Sequence, residues 1–139
     1  FSIENNLAPK SSFLLEKHLE DYIIRNWSNI DLNKDYDIHK ENNKLCTQYS
    51  TGSGPLDILA ISKDKKEFLV IELKKGRASD VVMGQIQRYM GHIKNNLAGE
   101  KDVKGLIIAL EDDNNLRDAL SVAPNIKFMK YEVSFKLVE

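Results

Sequence analysis

The sequence predicts a single α/β domain built on a mixed β-sheet flanked by helices, and three observations carry that prediction. Two neighbouring apolar segments, Leu56 to Ile61 and Phe68 to Lys74, have the length of strands and are joined by a short charged turn. A stretch of helix length, with apolar residues at helical spacing, separates them from a further buried strand, Val103 to Leu110. The order of helix, strands, long helix, strand, helix and strand then suits one layered domain.

Taken in order, the first element is a helix from Phe13 to about Trp27, on which Leu15, Leu19, Tyr22 and Ile23 recur at helical spacing. Ser11 or Ser12 supplies its N-cap. The stretch from Ser28 to Gly54 is polar, with one or two short strands expected around Tyr36 to His39 and Leu45 to Tyr49. The turn between the two strong strands is Ser62-Lys63-Asp64-Lys65-Lys66-Glu67. A long helix is expected from about Ser79 to Asn96, capped by Ser79 or Asp80, with Val82, Ile86, Met90, Ile93 and Leu97 as its apolar stripe. Asp112 to Leu120 reads as a short helix and Pro124-Asn125 as a turn. A closing strand is predicted from the alternation of Met129, Tyr131, Val133, Phe135 and Leu137.

The bulk numbers exclude several classes. A chain of 139 residues suits one domain, and 42% hydrophobic with 29% charged residues is an ordinary globular composition. No apolar run approaches the roughly 20 residues that span a bilayer. The single cysteine, Cys46, excludes an internal disulfide and a thiolate cage, and suits a cytoplasmic location. His18 and His39 have no partner at zinc-ligand spacing. A net charge of −1 argues against a generically basic nucleic-acid binder. It is compatible with an acidic, metal-holding site rimmed by Lys63, Lys65, Lys66, Lys74, Lys75 and Arg77. Because residue 1 is Phe, residues 1–139 are expected to be one domain of a longer protein.

The residues that carry chemistry lie on the two strong strands. In the second, Phe68, Val70, Glu72 and Lys74 share one face, while Leu69, Ile71 and Leu73 share the other. Both faces are largely apolar, as in a central strand covered on both sides, so Glu72 and Lys74 need a partner or a ligand. If the turn closes symmetrically, Ser62 pairs with Glu67, and the same register sets Asp57 opposite Glu72. Opposed residues on antiparallel strands lie about 4.5–5.5 Å apart at Cβ. Two carboxylates at that spacing repel unless a cation lies between them, and a hard divalent ion suits oxygen ligands. Lys74 projects on the same side as Glu72. Two carboxylates and a lysine on one patch of sheet fit phosphodiester hydrolysis, the lysine orienting water or neutralising developing charge.

Glu16 falls in the middle of the apolar arc of the first helix, with Glu20 about 40° further round toward the rim. Glu16 is the stronger candidate for a further ligand, and the choice between the two stays open. On the long helix Gln85 and Tyr89 are one turn apart on one face, bordering Arg88 and His92.

Three segments together resemble the PD-(D/E)xK nuclease superfamily. They are Gly54-Pro55-Leu56-Asp57-Ile58-Leu59-Ala60, Val70-Ile71-Glu72-Leu73-Lys74-Lys75 and Gly84-Gln85-Ile86-Gln87-Arg88-Tyr89. Within that superfamily the chain is most similar to the C-terminal nuclease domain of NucS (EndoMS) endonucleases, from the helix around Glu16 to the closing Tyr131-Glu132-Val133-Ser134-Phe135. The resemblance implies a restriction-endonuclease-like fold. It implies that Asp57 and Glu72, assisted by the Leu73 carbonyl and Glu16, bind Mg2+ or Mn2+, with Lys74 as catalytic lysine and Gln85 and Tyr89 as the Gln-x-x-x-Tyr pair. DNA is the implied partner, met by Lys75, Arg77, Arg88 and Tyr89, with a 5′-phosphate and a 3′-hydroxyl as products. A homodimer and an additional DNA-binding domain outside this chain are implied as well. The link between the first helix and Asp57 is longer than the family's. The expected function is a metal-dependent endodeoxyribonuclease of DNA repair or restriction. Its rivals are a non-catalytic nucleic-acid-binding module on the same fold and an RNA-cutting phosphodiesterase.

Overall fold

The structure, a computed structural model, describes residues 16–139. The Ser11 or Ser12 cap, Phe13 and Leu15 lie outside the described residues. Helix α1 (Glu16–Arg25) buries Leu19 and Ile23 as its spacing predicts, but Tyr22 is more than half exposed. Trp27 belongs to a following 3-10 turn and is tied down by its indole N–H, which donates to the Tyr36 carbonyl at 3.1 Å.

The polar stretch holds four short strands: β1 (Tyr36–Ile38), β2 (Lys40–Glu41), β3 (Lys44–Leu45) and β4 (Thr47–Thr51). Strands β2 and β3 form a small separate hairpin, closed by Asn42 and Asn43, both with positive φ. That is the backbone of a two-residue primed turn, which asparagine tolerates. His39, which linear spacing leaves without a ligand partner, stands across this hairpin from Cys46, whose N–H donates to the His39 carbonyl at 2.9 Å. The pairing that supplies the partner is a fold contact, not a sequence interval.

Strands β5 (Gly54–Ser62) and β6 (Glu67–Arg77) pair antiparallel in the predicted register, from Ile61 with Phe68 to Ile58 with Ile71. The turn enforces it: Ser62 Oγ accepts from the N–H groups of Lys66 and Glu67, Asp64 Oδ1 also accepts from Lys66, and Lys65 takes the left-handed conformation. Helix α2 (Val81–Ile93) ends in a π-turn over residues 94–98 and leads to β7 (Asp102–Glu111), parallel to β6. Ser79 Oγ, not Asp80, reaches the first turn, accepting from Val81 N at 3.4 Å. Helix α3 (Asn114–Ser121) is capped by Asp113, which accepts from Leu116 N at 2.8 Å. Strand β8 (Ile126–Lys130) then lies parallel to β7.

The closing strand is therefore earlier and shorter than its alternation suggests. Ile126 is buried and Phe128 packs on the core, whereas Phe135 and Leu137 are exposed. Pairing with β7 decides this: the β8 ladder runs from Gly105–Ile126 to Ala109–Lys130, so β8 starts just after Pro124-Asn125.

The result is the expected mixed sheet, six-stranded, with β1 and β4 sharing one edge of β5, followed by β6, β7 and β8. One face carries α2 and α3 over Leu59, Phe68, Val70 and Ile107; the other carries α1 over Ile58, Ala60, Leu69, Ile71 and Leu73. The alternation read from β6 thus sorts its residues correctly between two cores. Helix α2 approaches β7 so closely that a Cβ on Gly105 would lie 2.8 Å from Met90 Sδ, which a side chain there could not occupy without displacing the helix. Among the described residues no helix is long and apolar enough to cross a membrane.

Candidate active site

Where β5 and β6 stop pairing, three elements converge: the end of that ladder, the start of α1 and the middle of β4. The last ladder pair is Ile58 with Ile71, and just beyond it the side chains of Asp57 and Glu72 come within hydrogen-bonding reach of each other. Asp57 Oδ2 accepts from the backbone N–H of Leu73 at 2.8 Å, which fixes the carboxylate beside Glu72.

Glu72 is 3% exposed, and its Oε1 has no hydrogen-bond partner among the described residues. Its pKa is raised to about 9. Burial is the main cause; hydrogen bonding and charge repulsion from Asp57 add to it, Lys74 opposes it, and Glu16 contributes further repulsion. An orphaned carboxylate oxygen in the core is costly, and a second carboxylate against it makes it costlier. The donor set of Asp57, Glu72 and nearby carbonyl oxygen is all hard oxygen, the type that holds Mg2+ or Mn2+. The residues present therefore fit a hard divalent ion.

Lys74, two residues along β6, is half-buried and close enough for its charge to act on Glu72. Beyond it the β6–β7 register shifts, a bulge that turns residues 75 and 76 out of the ladder. Lys75 N–H donates to Glu16 Oε2 at 3.2 Å, and its carbonyl accepts from the Tyr131 hydroxyl. Glu16 is thus at the site, but it is exposed, and Glu20 is the buried glutamate, at 8%. This reverses the order read from the helical wheel. On the wheel Glu16 still lies nearer than Glu20 to Leu19 and Ile23, but it stands at the first described turn of α1 and reaches the exposed Lys75 backbone, whereas Glu20, one turn further along, is covered where α1 meets β4.

Glu20 reaches the site through a residue that sequence reasoning missed. The Gln48 amide donates to Glu20 Oε1 and, at 3.1 Å, to Asp57 Oδ1. Burial raises the Glu20 pKa, Gln48 opposes the rise, and Asp57 adds to it. Gln48 has a φ of 50°, unusual for a residue other than glycine. A left-handed residue inside a strand leaves no trace in a hydrophobicity pattern; a polar side chain one strand from Asp57 was the only available signal.

On α2, Gln85 Nε2 donates to the Tyr89 hydroxyl at 3.3 Å. The Tyr89 ring is buried, and its hydroxyl lies 3.8 Å from where a Cβ on Gly54 would stand, so the pair abuts the start of β5. Arg88 is exposed, as is Arg77, which pairs with Glu111 at 3.5 Å. Lys75, Arg77 and Arg88 are thus at the surface, but two expectations are corrected. Tyr89, expected to meet DNA, is packed in the core under α2, and Lys63, Lys65 and Lys66 occupy the β5–β6 turn, at the opposite end of the ladder from Asp57 and Glu72. Asp57, Glu72, Lys74, Glu16 and Glu20 are gathered at the other end of the sheet.

The family model of the endonuclease NucS C-terminal domain matches residues 15–134. Among curated proteins, endonuclease NucS 1 of Halobacterium salinarum is 32% identical over 65 residues, 47% of this chain and 27% of that protein. Endonuclease NucS of Methanocaldococcus jannaschii is also 32% identical over 65 residues, 47% of this chain and 24% of its own length. The chain thus spans about a quarter of the curated relatives it matches. Among solved structures, a repair endonuclease from Pyrococcus abyssi superposes with a TM-score of 0.67 at 18% identity, over 89% of this chain and 50% of that one. An EndoMS–dsDNA complex gives 0.67 at 19% identity, over 98% of this chain and 51% of that one. These likenesses bear out the restriction-endonuclease-like sheet and helices expected from sequence. With the match running from α1 through β8, the chain belongs to the endonuclease NucS C-terminal domain family.

Proposed function

We propose that this chain is the catalytic domain of a divalent-metal-dependent endodeoxyribonuclease. The observation that carries the proposal is the buried Glu72, with its unpartnered oxygen, set against Asp57 and flanked by Lys74. Without metal the core tolerates this acid by keeping Glu72 protonated against Asp57, and a cation that takes the place of that proton compensates both carboxylates.

Asp57 and Glu72 would hold Mg2+ or Mn2+, with the Leu73 carbonyl assisting and Glu16 or Glu20 completing the acidic set. When bound, such an ion supplies a Lewis acid for the scissile phosphate and lowers the pKa of a water. The remaining work falls to the chain itself. Lys74 Nζ donates to the attacking water or to a phosphate oxygen, offsetting charge that develops during in-line displacement. Gln48 bridges Asp57 and Glu20 by donating to both. The Gln85–Tyr89 pair stands beside Gly54 as a polar edge for a phosphate or its water. Lys75, Arg77 and Arg88 form a rim that tracks the DNA backbone, positioning the duplex without reading its sequence.

The test is cleavage of labelled single-stranded, double-stranded and branched DNA, and of RNA, with Mn2+ or with chelator. The proposal expects metal-dependent cuts in DNA leaving 5′-phosphate and 3′-hydroxyl ends, lost on adding chelator. Binding without turnover in every metal would replace it with a nucleic-acid-binding module, and cutting confined to RNA would change the substrate class. A role in repair or restriction follows from which DNA structure is cut.

A further inference from the structure

The hairpin before β4 brings together three groups that the nuclease reading does not use. The main-chain bond from Cys46 N–H to the His39 carbonyl continues the β2–β3 pairing, so Cys46 stands directly across from His39. His39 immediately precedes β2 and the Cys46 bond extends the pairing to it, so Glu41, two residues on, shares its face. One nitrogen, one oxygen and one sulfur atom from these three residues all lie within 4.8 Å of one another. His39 Nε2 and Glu41 Oε2 are 3.7 Å apart, close to the roughly 3.3–3.8 Å between ligand atoms around a tetrahedral zinc.

We propose that His39, Glu41 and Cys46 form a second metal site, distinct from the carboxylate cluster, that takes Zn2+. The donor set selects the ion: a sulfur and an imidazole favour zinc over magnesium, which prefers oxygen alone. Three protein ligands leave a fourth position for water. On binding, the Cys46 thiol gives up its proton to solvent, and the thiolate with the Glu41 carboxylate balances the two charges of the ion. The Tyr49 hydroxyl donates to Glu41 Oε2 at 3.2 Å, and the His39 ring stands edge-on to Phe68 with centroids 5.1 Å apart, so two of the ligands are already oriented. A two-stranded hairpin this short is marginal by itself, and a metal across it would staple it. Leu59 bonds to both of its arms, donating to the Cys46 carbonyl and accepting from His39 N–H, so the staple would also fix the start of β4.

The experiment is titration of the chelator-stripped chain with Co2+ alone, followed by displacement with Zn2+. The expected result is one thiolate-ligated Co2+ per chain, counted by its charge-transfer band and the intense visible absorption of a tetrahedral ion, both removed by Zn2+; Co2+ on the oxygen ligands of the carboxylate cluster gives neither signal. Cys46→Ser should lose the charge-transfer band. His39→Ala and Glu41→Gln should lose tight binding while circular dichroism stays native. Asp57→Asn, which alters the carboxylate cluster, should keep the band, so failure of the nuclease reading and failure of this one are separable. If the buried Cys46 variant misfolds, Glu41→Gln at the half-exposed edge still decides. A band unchanged in His39→Ala and Glu41→Gln would mark a lone reactive thiol and overturn the site, as would the absence of any band.

Discussion

The N–H of Leu73 donates to Oδ2 of Asp57 at 2.8 Å, so a side chain serves as acceptor where the β5–β6 ladder has ended. This contact gives Asp57 a structural duty beside its proposed catalytic one, and the two can be separated. Asp57→Asn keeps an oxygen for Leu73 and removes the charge facing Glu72. Stability should then change by less than about 1 kcal/mol, while cleavage falls by at least about a thousandfold, the scale expected when several kcal/mol of electrostatic stabilisation are removed. Asp57→Ala should be equally inactive and also lose about 1–3 kcal/mol, because the Leu73 N–H is left without its partner. Urea unfolding of both variants beside a cleavage assay makes the comparison; an active Asp57→Asn protein would remove this residue from the metal site.

Glu72 leads to a pH dependence with a definite sign. Its carboxyl is raised from 4.5 in the unfolded chain to about 9 in the folded one, mainly by burial. Between those values the folded state binds the extra proton, so stability attributable to this group is complete below the lower value and is lost as pH rises toward the upper one. The melting temperature of the metal-free protein should therefore fall between about pH 5 and about pH 9. Glu72→Gln, a permanent mimic of the protonated form, should flatten that part of the profile. Mg2+ or Mn2+ should oppose the fall most strongly at high pH, since binding displaces the Glu72 proton. Identical profiles for the parent and Glu72→Gln would show that the group does not titrate as its burial demands.

Asp57 and Glu72 were legible in the sequence because each element around them obeys a local rule. Two apolar strands and a six-residue turn set one register, and carried one step past the last ladder pair that register brings the two carboxylates together. The buried glutamate of α1 was not legible, since it depends on which strand covers that turn: Glu20 meets Gln48 of β4, a contact that helical periodicity does not encode. The C-terminal alternation misled for a related reason. Met129 to Leu137 has the period of a strand, but β7 offers pairing only as far as Lys130. Gln48 and the His39–Cys46 pairing were hidden because left-handed residues at positions 42, 43 and 48 direct the polar stretch. Tertiary contacts, not periodicity, decide such conformations.

Among the described residues Lys74 is the cation whose charge acts on Glu72, and the proposed mechanism uses it for turnover, not for metal capture. Lys74→Ala should bind Mn2+ as tightly as the parent or slightly more tightly, because a like charge has been removed from beside the ion. Cleavage should fall about 10²- to 10³-fold, the usual loss for one electrostatic donor at a developing negative charge. Calorimetric Mn2+ titration together with single-turnover cleavage checks both halves. Loss of metal binding with loss of activity would instead make Lys74 a structural counter-charge for the carboxylates.

Gln48 combines backbone strain with a bridge between two acids, and these can be pulled apart by two substitutions. Its φ of 50° costs a non-glycine residue about 1–2 kcal/mol, while its amide donates to both Glu20 and Asp57. Gln48→Ala keeps the strain and loses the amide; Gln48→Gly loses both. Without the bridge, Asp57 is free to turn from the position that Leu73 alone then holds, and cleavage should drop about 10- to 100-fold in either variant, as for other groups that orient metal ligands. Stability should diverge instead, with the glycine variant melting higher than the alanine variant because its backbone is relaxed. Activity would thus follow the amide and stability the dihedral. A glycine variant with full activity would mean that Asp57 needs no support from β4, and that Glu20 stands outside the working site.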